Sequence, residues 1–185
     1  RVGGFALEAG SSDSADILSL GSGLYTVIMS NGGGEGGVGL LELYDADLDN
    51  SEASLSNISI RGRSGLGEEV LIVGFVIQGN LPKRVLIRAV GQGISDKVNA
   101  VLMDPTLRLF RGQNVIDSND DWDAHQERPQ LEAYMESSGD LALEEGSGDS
   151  ALFVWLEPGL YTAIVSGNNG GTGIALVEIY DLTGK

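Results

Sequence analysis

Asp117-Ser118-Asn119-Asp120-Asp121-Trp122-Asp123 is the stretch of this chain best furnished for chemistry. Carboxylates packed this closely repel one another unless a cation or hydrogen-bond donors intervene, and hard oxygen ligands at alternating positions suit Ca²⁺. The candidate calcium ligands are therefore Asp117, Asn119, Asp120, Asp121 and Asp123, with Asp104, just before Pro105, as an extra one. The glycine and distal glutamate of an EF-hand loop are missing, so that geometry is excluded. The competing reading is a solvated Asx-rich turn after a strand at 114–116, with Trp122 folded back as a lid on the core.

No catalytic set accompanies this run. His125 is the sole histidine, cysteine is absent, and no Gly-x-Ser-x-Gly elbow occurs, so neither a serine triad nor a thiolate or thiolate–metal site is written here. Nothing selects a carboxylate pair for glycoside cleavage, and Trp122 and Trp155 are the only tryptophans available as sugar platforms. Gly32-Gly33-Gly34-Glu35-Gly36-Gly37 is followed by a strand pattern and no Lys-Ser/Thr, which makes it a hairpin loop and not a phosphate loop. Asn57-Ile58-Ser59 matches a glycosylation acceptor but falls inside a predicted strand. The expectation is a protein that is not an enzyme.

Strands must position these residues. Glu69 to Gln78 is a nearly continuous apolar run, the pattern of a strand buried on both faces or central in a sandwich, and Arg84 to Val90 alternates. The Gly79-Asn80 and Pro82 loop between them predicts a hairpin. Leu55 to Arg61, Thr106 to Phe110 and Asn114 to Ile116 also read as strands, as do Ala151 to Leu156, Leu160 to Ser166 and Ile174 to Tyr180. Only Pro129 to Ser137 has helical spacing. Short strands separated by turn signals, with almost no helix, predict an all-β fold, an antiparallel β-sandwich of jelly-roll-like type.

The segment from Phe5 to Asp45 is repeated without a gap from Leu141 to Asp181, at an offset of 136 residues, with about half of the positions identical. Ala6-Leu7-Glu8 returns as Ala142-Leu143-Glu144, Gly23-Leu24-Tyr25-Thr26 as Gly159-Leu160-Tyr161-Thr162, and Tyr44-Asp45 as Tyr180-Asp181. A repeat of this length marks a tandem array. The repeated Gly-Ser-x-Asp-Ser-Ala (Gly10 to Ala15, Gly146 to Ala151) reads as a turn whose Asp caps backbone N–H groups. By the same pattern the first copy should hold strands at 15–20, 24–30 and 38–44.

Residues 1–45 are then the C-terminal half of a repeat unit, 46–54 (Ala46 to Ser54, acidic and polar) a linker, and 55–183 a complete β-sandwich unit. Two copies of the three-strand half face one copy of the half beginning at Leu55, so residues 1–45 lack a complement. Leaving Leu20, Leu24, Tyr25, Ile28, Leu40 and Leu43 in water costs about 1.5–3 kcal/mol per side chain relative to burial.

Charge narrows the partners. The total is −16, yet the stretch from Arg61 to Arg111 holds eight basic and four acidic residues, a net of +4 that leaves −20 for the rest. Such acidity argues against nucleic acid, and no apolar run is long enough to span a bilayer. Basic and acidic surfaces of successive units would attract one another. The start at Arg1, with neither Met nor a leader, reads as a processed product or a piece of something longer.

Leu107-Arg108-Leu109-Phe110, then Ile116-Asp117-Ser118-Asn119-Asp120-Asp121-Trp122, then Leu156-Glu157-Pro158-Gly159-Leu160-Tyr161-Thr162, with Gly173 and Val177-Glu178-Ile179-Tyr180 after them, resembles the bacterial pre-peptidase C-terminal domain and related sandwich modules. Ser59 to Arg63 with Val85 to Gly91 resembles uncharacterised tandem repeats of large bacterial surface proteins. The resemblance implies a secreted or surface-displayed module of jelly-roll-like fold, with calcium on the five ligands named above. Together with the duplication it leads to an extracellular structural repeat, a building block of a head-to-tail filament or long adhesive protein. Its partners would be copies of itself, with strand complementation of residues 1–45. The alternative is an accessory carbohydrate- or matrix-binding module of a secreted enzyme.

Overall fold

The computed structural model describes residues 6–30, 33–34, 36–46, 55–137 and 142–183. The chain divides into two compact units, Arg1–Leu55 and Ser56–Lys185. Residues 47–54 of the expected linker lie outside the described residues.

The second unit is an antiparallel β-sandwich. Its elements are β1 (Asn57–Ser64), β2 (Leu71–Ile77), β3 (Lys83–Val90), β4 (Pro105–Arg111), β5 (Asn114–Asn119), α1 (Arg128–Ser137), β6 (Ser150–Leu156), β7 (Gly159–Gly167) and β8 (Gly173–Asp181). Sheet A has the order β1-β8-β3-β6 and sheet B the order β2-β7-β4-β5. Strand positions and α1 thus follow the period-2 and period-3.6 patterns of the sequence.

Two expectations are corrected. β2 and β3 do not form a hairpin: β2 pairs with β7 and β3 with β6 and β8, so the Gly79-Pro82 loop carries the chain from one sheet to the other. Nor is β2 buried on both faces. It is the end strand of sheet B, with Val73 and Ile77 buried and Ile72 and Val76 exposed.

Alternation builds the core. Val85, Ile87 and Ala89 of β3, Leu107 and Leu109 of β4, Tyr161, Ala163 and Val165 of β7, and Ala175, Val177 and Ile179 of β8 point into the space between the sheets. The opposite side of β3 is buried too. Leu86 and Val90 pack with Ile94, Trp122, Leu131 and Met135 in a second cluster, so α1 and the turn at Trp122 cover the outside of sheet A. Among the described elements none covers the outside of sheet B.

β6, β7 and β8 never pair with one another. Every neighbour each of them has is drawn from β1 to β4. The repeated C-terminal half therefore interleaves with the half before it and has no sheet of its own.

In the first unit, no strand forms among the described residues 6–46, and each of those residues is exposed. This corrects the expected strands at 15–20, 24–30 and 38–44. The physical reason is the interleaving: the neighbours that β6, β7 and β8 find in the second unit have no counterpart in residues 6–46. Charge adds to it, since Asp16 occupies the position of Leu152, which is fully buried in the second unit.

Candidate functional site

The aspartate run is built into the sandwich by hydrogen bonds. Asp117 Oδ1 accepts from the Ser118 amide at 2.8 Å, and Asn119 Oδ1 from the Ala151 amide at 2.9 Å, while Asn119 Nδ2 donates to the Asp121 carbonyl at 2.8 Å. Asp120 takes the Thr106 hydroxyl on Oδ1 at 2.7 Å and the Asn168 amide on Oδ2 at 3.0 Å. Asp123 Oδ2 accepts from the Gly146 amide at 3.0 Å. Donors from four segments thus meet the repulsion that a cation could otherwise relieve.

The five residues named from sequence do not converge on one point, and among the described residues no group of three or more His, Cys, Asp or Glu side chains is arranged to hold a metal ion. Asp121 stands apart within the run. Its carboxyl is held above the usual range by burial and by the neighbouring charges of Asp120, Asp104 and Asp123. Trp122 is buried, and its indole N–H donates to the Glu144 carbonyl at 3.0 Å, the lid foreseen from sequence.

Two polar contacts tie the C-terminal half to β3 and the turn that follows it. Arg88 and Glu178 form an ion pair on the outer side of sheet A, at 3.0 Å through Nε and closer through Nη2. Tyr180 donates its hydroxyl to Glu178 at 2.7 Å, and burial with this bond raises the phenol above its ordinary range. The buried Asp149 accepts from the amides of Gly91 at 2.8 Å and Gly93 at 3.1 Å. A side chain at position 91 would place its Cβ 1.6 Å from the Leu102 carbonyl oxygen, so only glycine fits there. The repeated Asp thus caps amides as expected, but in a loop distant in sequence and not in its own turn. Sequence reasoning missed Arg88 with Glu178; the available signal was that Glu178 recurs as Glu42.

A groove of about 610 Å³ lies between the end strands β5 and β6, lined by Ile116, Asp117, Ser118, His125, Glu127 and Trp155 among others. Trp155 is 61% exposed. Arg84 lies over Phe153 at 3.9 Å and bonds Glu127 at 2.5 Å, which stiffens one wall. His125 Nδ1 accepts the Glu127 amide at 3.1 Å, a local turn contact.

Residues 6–46 repeat the short-range contacts of residues 142–182. Ser11 N–H to the Glu8 carbonyl (3.1 Å) matches Ser147 to Glu144 (3.1 Å), and Tyr25 hydroxyl to the Gly21 carbonyl (2.8 Å) matches Tyr161 to Glu157 (2.7 Å). Tyr44 donates to Glu42 at 2.8 Å, as Tyr180 does to Glu178. Gly10 (φ +86°) and Gly146 (φ +74°) share the left-handed turn. A Cβ at Gly39 would sit 2.6 Å from Met29 Cε, so the larger Met29 and the smaller Gly39, where the second unit has Val165 and Ala175, accommodate each other.

No protein-family model matches the chain, and no curated protein matches it. Among solved structures, it is similar to the pre-peptidase C-terminal domain of a collagenase from Bacillus anthracis, at 13% identity and a TM-score of 0.42, over 67% of this chain and 89% of that one. The sandwich itself stands on the pairing of its own strands.

Proposed function

We propose that this chain is an extracellular structural repeat, a building block of a long bacterial surface or adhesive protein or of a head-to-tail filament. One observation carries the reading: the chain holds a complete sandwich and a second copy of its last three strand segments, whose local contacts form while its sheets do not. Glu42 keeps the carboxylate that in the complete unit meets Arg88, and Asp13 the one that meets Gly91 and Gly93. Residues 6–46 are thus written to receive a half equivalent to β1–β5, with a basic residue and a Gly-x-Gly loop at those places. The chain's own β1–β5 is already paired with β6, β7 and β8, so such a half is either released from another copy or supplied by a neighbouring repeat, and its insertion would be the joint between successive repeats.

Electron microscopy with light scattering on the purified chain tests this. Concentration-dependent assemblies or filaments support it; a strict monomer at high concentration contradicts it.

A second reading, an accessory carbohydrate- or matrix-binding module, is favoured by the β5–β6 groove with its exposed Trp155. Quenching of tryptophan fluorescence by oligosaccharides, lost in Trp155→Ala, would support that reading. The calcium proposal for Asp117, Asn119, Asp120, Asp121 and Asp123 rests on the sequence run itself, whose closely spaced oxygen ligands suit a hard cation. Titration calorimetry at millimolar Ca²⁺ decides it; no heat would sink it.

A further inference from the structure

We propose that the outer face of sheet B is a contact surface on which two copies of this chain meet, sheet face against sheet face. Large apolar side chains stand on this face, where a half-solvated antiparallel sheet normally alternates to polar. Ile72 and Val76 of β2 stand outward at 54% exposure each, and Leu160 of β7 at 72%. The register pairs Ile72 with Ile164 and Val76 with Leu160, with Gly74 and Thr162 between the two pairs, and β4 adds Phe110 beside Thr162. Sheet A is different, because α1 and the Trp122 turn cover its outer side.

The internal repeat shows which faces the chain keeps. Outward residues Leu160, Thr162, Ile164 and Ser166 are all unchanged in the first copy as Leu24, Thr26, Ile28 and Ser30, whereas of the inward residues Tyr161 is kept as Tyr25 and Ala163 and Val165 become Val27 and Met29. Duplicates that answer only to folding should do the reverse, since buried positions are the constrained ones. In β8 the outward Leu176, Glu178 and Tyr180 are also kept, but there Arg88 supplies an internal reason. For the outward side of β7 no described element of its own unit supplies one.

Charge selects the occupant. Two chains of −16 each repel wherever carboxylates face one another. The outward positions of β2, β7 and β4 carry a single charge, Arg108, whose guanidinium lies over the Phe110 ring at 5.7 Å. Here a second copy can approach without setting acid against acid. Ile72 to Val76 and the residues beside them on β7 and β4, on strands about 4.8 Å apart, make a small patch, well under the roughly 800 Å² per partner of a stable dimer. The contact is therefore weak singly and gains strength when many units repeat it. It rests on the assembly reading above and names the surface that reading uses.

Sedimentation velocity of the full chain, from low micromolar to near-millimolar concentration and at low and high salt, tests it. We expect a weak dimer that tightens with salt, because screening removes the repulsion and leaves the apolar contact. The double substitution Val76→Lys, Leu160→Lys, at exposed positions, should abolish the dimer with the thermal melt unchanged, while Leu41→Lys in the first copy leaves it intact. A monomer at every concentration overturns the proposal, as does a dimer that weakens with salt. Association that survives the double substitution but is lost in Leu41→Lys also overturns it, and leaves the strand-insertion joint standing.

Discussion

Residues 6–46 and 142–182 are one design in two circumstances. Both make the tyrosine-to-carbonyl bond four residues back, the Tyr–Glu bond and the left-handed glycine turn. Only the second copy makes strands. What separates them is what the segment meets: β3 for β6 and β8, β2 and β4 for β7, Arg88 for Glu178, and Gly91 and Gly93 for Asp149. Turns and side-chain hooks are local properties of a sequence. A strand is a property of its neighbours.

Paired substitutions at matching positions can break this comparison. The largest effect is expected for Leu152→Asp, which places in the core the residue the first copy already has. Burying that carboxylate without a partner costs about 4 kcal/mol or more and should unfold the second unit in a denaturant melt, whereas Asp16→Leu leaves the melt unmoved. Next comes Glu178→Ala, which removes the carboxylate paired with the buried Arg88 and costs about 3 kcal/mol; Glu42→Ala, at an exposed site, costs nothing measurable in the same melt. Tyr161→Phe should lose about 1 kcal/mol with its bond to the Glu157 carbonyl, and Tyr25→Phe far less, because water replaces the exposed bond.

Smaller effects follow from titration. Burial works against the Asp181 charge, but hydrogen bonds from Lys83 and Thr183 overcome it and hold the carboxyl below its ordinary value of 3.8. The folded state then binds that proton less tightly than the unfolded one, so the contribution is present above that value and fades as pH falls past it. Lys83→Met should flatten the acid limb of a stability-versus-pH curve. Asp121 has the opposite sign. Its raised carboxyl favours the folded state when protonated, and Asp121→Asn should raise stability at neutral pH slightly, by less than about 0.5 kcal/mol.

Much of the second unit was legible in the sequence because period-2 alternation survives in Arg84 to Val90 and in Leu160 to Ser166. Pairing was not. The Gly79-Pro82 loop has the composition of a hairpin turn and serves as a crossing between sheets, a choice made by β7 and β8, which lie far away in sequence. The apolar run of β2 suggested two buried faces, yet Ile72 and Val76 are exposed. Sequence shows that a face is apolar without showing whether its own chain covers it. Within the aspartate run, composition displayed the repulsion, while the Thr106, Asn168 and Gly146 donors that answer it come from segments no local pattern could reach.

Hydrogen exchange read by mass spectrometry on the full chain at dilute concentration tests the central claim most directly. If residues 6–46 are a half awaiting its complement, the amides of 24–30 and 38–44 exchange near their intrinsic rates, while those of 160–166 and 174–180 are protected by orders of magnitude. Equal protection of the two copies in the isolated chain would contradict the account, because it would mean the first copy forms its sheets without a β1–β5 half.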